Sequence, residues 1–80
     1  MLVEFSVIPF GKGWHVGDEV AEIVRIIDES GLDYRLHAMG TTIEGSWDEV
    51  MPLLRKCHEA LADRSDRVYT FIRIDDFKGR

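Results

Sequence analysis

The chain has 80 residues, with 10 Lys and Arg against 15 Asp and Glu, a formal charge of −5. That length gives one domain, residues 1–80, whose core alone supplies thin stability. The acidity excludes the clustered basic charge that nucleic acid or an anionic membrane surface requires, and no apolar run approaches the ~20 residues of a membrane span.

Small folds are commonly reinforced by disulfides, a metal or oligomerisation. Cys57 is the one cysteine, so an intrachain disulfide is excluded and a reducing compartment is expected. Met1-Leu2-Val3-Glu4 lacks the basic start and long apolar core of a secretory signal, so a soluble, cytoplasmic protein is expected. His15, His37 and His58 do not pair with another His, Cys or acid at a metal-ligand spacing on one element. No metal site is expected, which leaves a homo-oligomer, dimer or tetramer, as the reinforcement.

Leu2 to Ile8 is apolar and rich in β-branched residues, and Pro9-Phe10-Gly11 ends it as a first strand. Gly11-Lys12-Gly13 is a flexible turn. A glycine pair with Lys before a helix can also cradle a phosphate, though the longer P-loop pattern is missing. From about Val16 to Ser30 the period changes: Val20, Ile23, Val24 and Ile27 form the stripe of an amphipathic helix. Asp18 and Glu19 suit its first turns, and Ser30-Gly31 its end. Leu32 to Ala38 is a second strand, with Tyr34 and Leu36 on its apolar face. Met39-Gly40 turns the chain into a third strand, Thr41 to Glu44.

Ser46-Trp47-Asp48-Glu49 matches a capping box, with Ser46 as N-cap and Glu49 reaching back. The second helix carries Val50, Leu53, Leu54, Cys57 and Leu61 on one face. Pro52 lies past its first turn and removes one helix hydrogen bond. Ala62 to Asp66 is a polar loop, and Arg67 to Asp75 a fourth strand. The order β-α-β-β-α-β predicts an α+β, ferredoxin-like sandwich: a four-stranded antiparallel sheet in the order 4-1-3-2 with both helices on one face.

Strand alternation assigns Val3, Phe5, Val7, Ile43, Val68, Ile72 and Ile74 to the helix side. Glu4, Ser6, Ile8, Thr42, Glu44, Tyr69, Phe71 and Arg73 fall on the open face. A fully solvated sheet face is polar, whereas this one mixes rings, aliphatics and charges, the composition of an interface. Glu4, Glu44 and Arg73 are either an ion pair that fixes oligomer register or part of a ligand site.

Reactive chemistry has little support. Cys57 and His58 are adjacent on a helix and point about 100° apart, so Cys57 reads as core and His58 as a half-buried, hydrogen-bonded residue. Trp14 and Trp47 read as packing residues. Glu4 with Glu44 is the one conceivable acid–base dyad, and no motif supports it. No enzyme activity is expected.

Several segments carry a resemblance. Glu4-Phe5-Ser6-Val7-Ile8-Pro9-Phe10-Gly11 resembles the motif E-x-S-[VI]-x-P-x-G. Met39-Gly40-Thr41-Thr42-Ile43-Glu44-Gly45 resembles M-G-T-x-I-E-G. Ser30 to Tyr34, Cys57 to Ala60 and Arg67 to Asp76 add weaker matches. Together, from about Val3 to Asp76, they resemble the thiamine-binding protein family, the YkoF-like group. The resemblance implies a ferredoxin-like fold, dimers or dimers of dimers, and non-catalytic binding of thiamine or its hydroxymethylpyrimidine moiety. It implies no resident cofactor. Phe71 departs from a smaller family residue, Arg73 from a usual Lys, and Pro52 from an uninterrupted helix.

Thiamine joins a fixed cation to a flat ring with donors and acceptors, so its site wants a carboxylate, an aromatic face and hydroxyls. Glu4 or Glu44 offers the first, Tyr69, Phe71 or Trp47 the second, and Ser6, Thr41 or Thr42 the third. On an ideal strand Thr41 points away from Thr42. An alternative reading makes the open face an assembly surface only.

Overall fold

The structure, a computed structural model, describes residues 1–10 and 16–78, with residues 16 and 17 as backbone alone. The Gly11-Lys12-Gly13 turn, Trp14 and His15 lie outside the described residues. The elements are β1 (Leu2–Phe10), α1 (Val16–Glu29), β2 (Asp33–His37), β3 (Gly40–Glu44), α2 (Trp47–Ala62) and β4 (Arg67–Asp75). The strands form one antiparallel sheet in the order β2-β3-β1-β4, the expected 4-1-3-2.

Strand β1 runs through Pro9 to Phe10, two residues beyond the expected end. It pairs with β3 only over Leu2–Phe5, while its pairing with β4 continues to Phe10 opposite Arg67. Beyond Phe5 one side of β1 is therefore an edge, and an edge tolerates proline. The β2–β3 hairpin closes one residue earlier than expected, with His37 opposite Gly40. Gly40 has φ +151°, and a Cβ there would lie 2.5 Å from Ser6 Oγ and 2.8 Å from Phe5 O. Only glycine fits that backbone and that approach.

The core is one layer between the sheet and the helices. Val3, Phe5 and Ile43 of the sheet pack with Ile26 and Ile27 of α1 and with Val50, Leu53, Leu54 and Cys57 of α2. Both helices therefore lie on one face. Val20, expected on the buried stripe, is 53% exposed, and it borders an open hollow beside Leu36 and Met39. Ile26 takes its place in the core. At the end of α1, Gly31 adopts φ +75°, the left-handed conformation that terminates helices.

Helix α2 starts with both halves of the capping box: Glu49 N donates to Ser46 Oγ at 3.3 Å, and Ser46 N donates to Glu49 Oε1 at 3.0 Å. Those bonds hold the Glu49 carboxyl below its ordinary range. Burial pushes the Cys57 thiol up to about 11. His58 Nδ1 and Thr70 Oγ1 lie 2.6 Å apart, tying α2 to β4. Ile72 and Ile74 face the helix side, opposite Phe5 and Val3, but remain about two-fifths exposed. Alternation fixed their face, not whether a helix would cover them. Among the described residues no helix is long and apolar enough to cross a membrane.

Candidate functional site

The strand pairings resolve the open face into rows across β2, β3, β1 and β4. Asp33, Glu44, Leu2 and Asp75 form one row. Arg35, Thr42, Glu4 and Arg73 form the next. His37 then stands opposite Gly40, and Ser6 opposite Phe71. Ile8 faces Tyr69, and Phe10 faces Arg67. Polarity thus changes along β1, from carboxylates at Leu2 to rings and aliphatics at Ile8.

A hollow of about 550 Å³ opens where the polar and apolar rows meet, lined by Glu4, Phe5, Ser6, Ile8, His37, Met39, Phe71 and Arg73. Arg73 Nε and one terminal nitrogen donate to Glu4 Oε1, at 2.9 and 2.5 Å. The other oxygen, Glu4 Oε2, lies 3.6 Å from His37 Nε2, too long for a direct hydrogen bond. His37 Nε2 is 3.0 Å from Thr42 Oγ1. Ser6 Oγ donates to Met39 O at 2.9 Å, anchoring the hairpin turn over the hollow. Tyr69 backs Phe71, with ring centroids 4.6 Å apart and a 47° tilt.

Four sequence-nominated residues, Glu4, Ser6, Phe71 and Arg73, therefore line one hollow. Tyr69 supports it through Phe71, and Thr42 through His37. Glu44 sits one row away, opposite Leu2. It does not join the Glu4–Arg73 pair, so of the three charged residues only Glu4 and Arg73 form an ion pair with each other. Thr41, opposite Phe5, is buried on the helix side and borders a different hollow, because neighbouring strand residues face opposite ways. Trp47 stands at the first position of α2, outside the residues that line this hollow.

Sequence reasoning missed His37, Met39 and Ile8 as lining residues. The signal for His37 was its parity with Asp33 and Arg35 on β2, which places all three on the open face. Met39 had none, since a turn residue reaches the hollow only through the Ser6 bond.

A second hollow, about 440 Å³, lies under α1 at the same end of the sheet, bordered by Val20, Ile23, Val24, Leu36 and Met39 among others. It presents no Asp, Glu, Lys or Arg among the described residues. Nor does any group of three or more His, Cys, Asp or Glu among the described residues stand where it could hold a metal ion.

Comparison with known proteins bears on this geometry. A UPF0045 protein of Synechocystis is 44% identical over 61 residues, covering 76% of this chain. The match spans only 50% of that relative's own length. The crystal structure of a hypothetical protein from Methanocaldococcus jannaschii superposes with a TM-score of 0.89 at 32% identity, over 99% of this chain and 81% of that one. A Thermotoga maritima protein, described provisionally as one of thiamine biosynthesis or salvage, has a TM-score of 0.85 over 98% of this chain and 84% of its own. At 22% identity it shows the shared fold alone. The sequence model of the thiamine-binding protein family matches residues 3–80, and the chain belongs to that family.

Proposed function

We propose that this protein binds thiamine or its hydroxymethylpyrimidine moiety without catalysing a reaction, as an oligomer in which a second copy covers the open sheet face. The observation that carries the reading is the open-face hollow. It sets a carboxylate, an imidazole, a hydroxyl and an aromatic ring around a space large enough for a small heteroaromatic ligand, in a chain of the thiamine-binding family. Such a site combines an apolar wall with a few convergent polar groups. The Ser6 hydroxyl in the hollow donates to the Met39 carbonyl rather than to a base, which supports binding over chemistry.

The apolar rows support the oligomer. Ile8, Phe10, Tyr69 and Phe71 are each about 40–52% exposed, and a small domain gains core by stacking such a face on a partner. The Glu4–Arg73 pair favours a second reading, in which the face serves assembly only and the pair fixes register. Calorimetric titration separates the two. The binding reading expects saturable heat with thiamine or the hydroxymethylpyrimidine, reduced in Glu4→Gln. No heat with either ligand, on protein that is folded by circular dichroism, leaves the assembly reading.

A further inference from the structure

The hollow of about 440 Å³ beneath α1 plays no part in the open-face reading. We propose that it is a second binding site, for a small uncharged molecule with an apolar body and one hydroxyl, and that Thr41 hydrogen-bonds that hydroxyl.

The walls are apolar. Val20, Ile23 and Val24 form the helix side, and Leu36 and Met39 the hairpin side. Val20 is 53% exposed, Leu36 52% and Met39 82%, so an occupant removes apolar surface from water on both sides at once. The space falls within the range of small-molecule sites, about 300–1,000 Å³. No Asp, Glu, Lys or Arg borders it among the described residues. An ion entering it would leave water without a counter-charge, which selects a neutral ligand.

The polar groups define the hydroxyl. Thr41 borders the hollow and is only 8% exposed, yet its side chain makes no hydrogen bond among the described residues. A buried hydroxyl without a partner is costly, and a ligand hydroxyl supplies that partner. The other two polar side chains at this hollow are engaged elsewhere: Ser6 donates to Met39 O, and His37 Nε2 lies 3.0 Å from Thr42 Oγ1. Strand β1 adds a second opening. Its pairing with β3 stops at Phe5 opposite Thr41, and Ser6, Val7 and Ile8 border the hollow just beyond that point. On that side their backbone groups have no strand partner among the described residues, and such an edge is open to hydrogen bonding.

The test uses the whole chain and three probes that share one ring: p-cresol, toluene and 4-methylbenzoate. Amide chemical shifts are followed during each titration. The expected result is saturable shifts at Val20, Ile23, Leu36 and Thr41 with p-cresol and toluene, and at least about tenfold weaker binding of 4-methylbenzoate. Thr41→Val keeps the side-chain shape without the hydroxyl. It should weaken p-cresol roughly fivefold and leave toluene unchanged, and unchanged toluene binding shows that the variant keeps its hollow. Thr41→Ser should retain the preference for p-cresol over toluene. If wild type shows no shifts at these residues, or shifts at Glu4, Phe71 and Arg73 instead, the inference is overturned. Binding of 4-methylbenzoate as tight as p-cresol, or an equal loss of toluene and p-cresol in Thr41→Val, overturns it too. Thiamine is not a probe here, so neither outcome bears on the open-face reading.

Discussion

Gly40 shows how one residue serves both fold and site. Its positive φ and its close approach to Ser6 and Phe5 let the hairpin bring Met39 over the hollow. Gly40→Ala is expected to destabilise the protein by on the order of 2 kcal/mol, through backbone strain and overpacking, as read by denaturant unfolding. Cys57 shows the opposite case, a reactive atom made inert. It is fully buried, its thiol pushed up to about 11, and a thiol that remains protonated is a poor nucleophile. At neutral pH alkylation should await unfolding, so the labelling rate should track denaturant. Rapid labelling of native protein would contradict this placement. The sequence already pointed to Cys57 as core, because it falls on the stripe of Val50, Leu53, Leu54 and Leu61. Strand parity already pointed Thr41 away from Thr42; the sequence could not reveal that Trp47, at the start of α2, lies outside the open-face hollow, because residue type suited it.

At the scale of elements, the start of α2 was the most legible feature, since Ser46 and Glu49 carry their own geometry. Ser46→Ala should cost about 1 kcal/mol. The Glu49 contribution also has a pH signature. Bonds from Ser46 lower the carboxyl below its ordinary 4.5, so its stabilisation is complete at neutral pH. It is lost as the pH falls through and below that value. Glu49→Gln should flatten that part of the acid-unfolding profile. Pro52 lies inside α2 and leaves the carbonyl four residues earlier without its helical donor. Pro52→Ala restores one bond and should stabilise by roughly 1 kcal/mol, net of the added freedom of the unfolded chain. Strand faces were legible from period-two alternation, but coverage was not. Ile72 and Ile74 read as core, yet they stay half-open because burial depends on where α2 crosses β4. His37 was hidden for a related reason. Which side of an edge strand meets a hollow depends on hairpin register, and the turn closes one residue earlier than its composition suggests.

For the whole molecule, the open face is the feature that needs a partner or a ligand. Its rings and aliphatics are exposed together, in rows that adjoin a neutralised carboxylate. If a second copy covers this face, Phe71→Asp should shift the protein toward monomer in analytical ultracentrifugation while circular dichroism stays unchanged. A monomeric wild type would remove the oligomer from the proposal but not the hollow. The central claim is that the ligand sits on the open face. Amide chemical-shift mapping during a thiamine titration tests it most directly. The account predicts shifts concentrated at Glu4, Ser6, Ile8, His37 and Phe71, with α2 little changed. Shifts confined to α1 and α2, or none at saturating ligand, would contradict it.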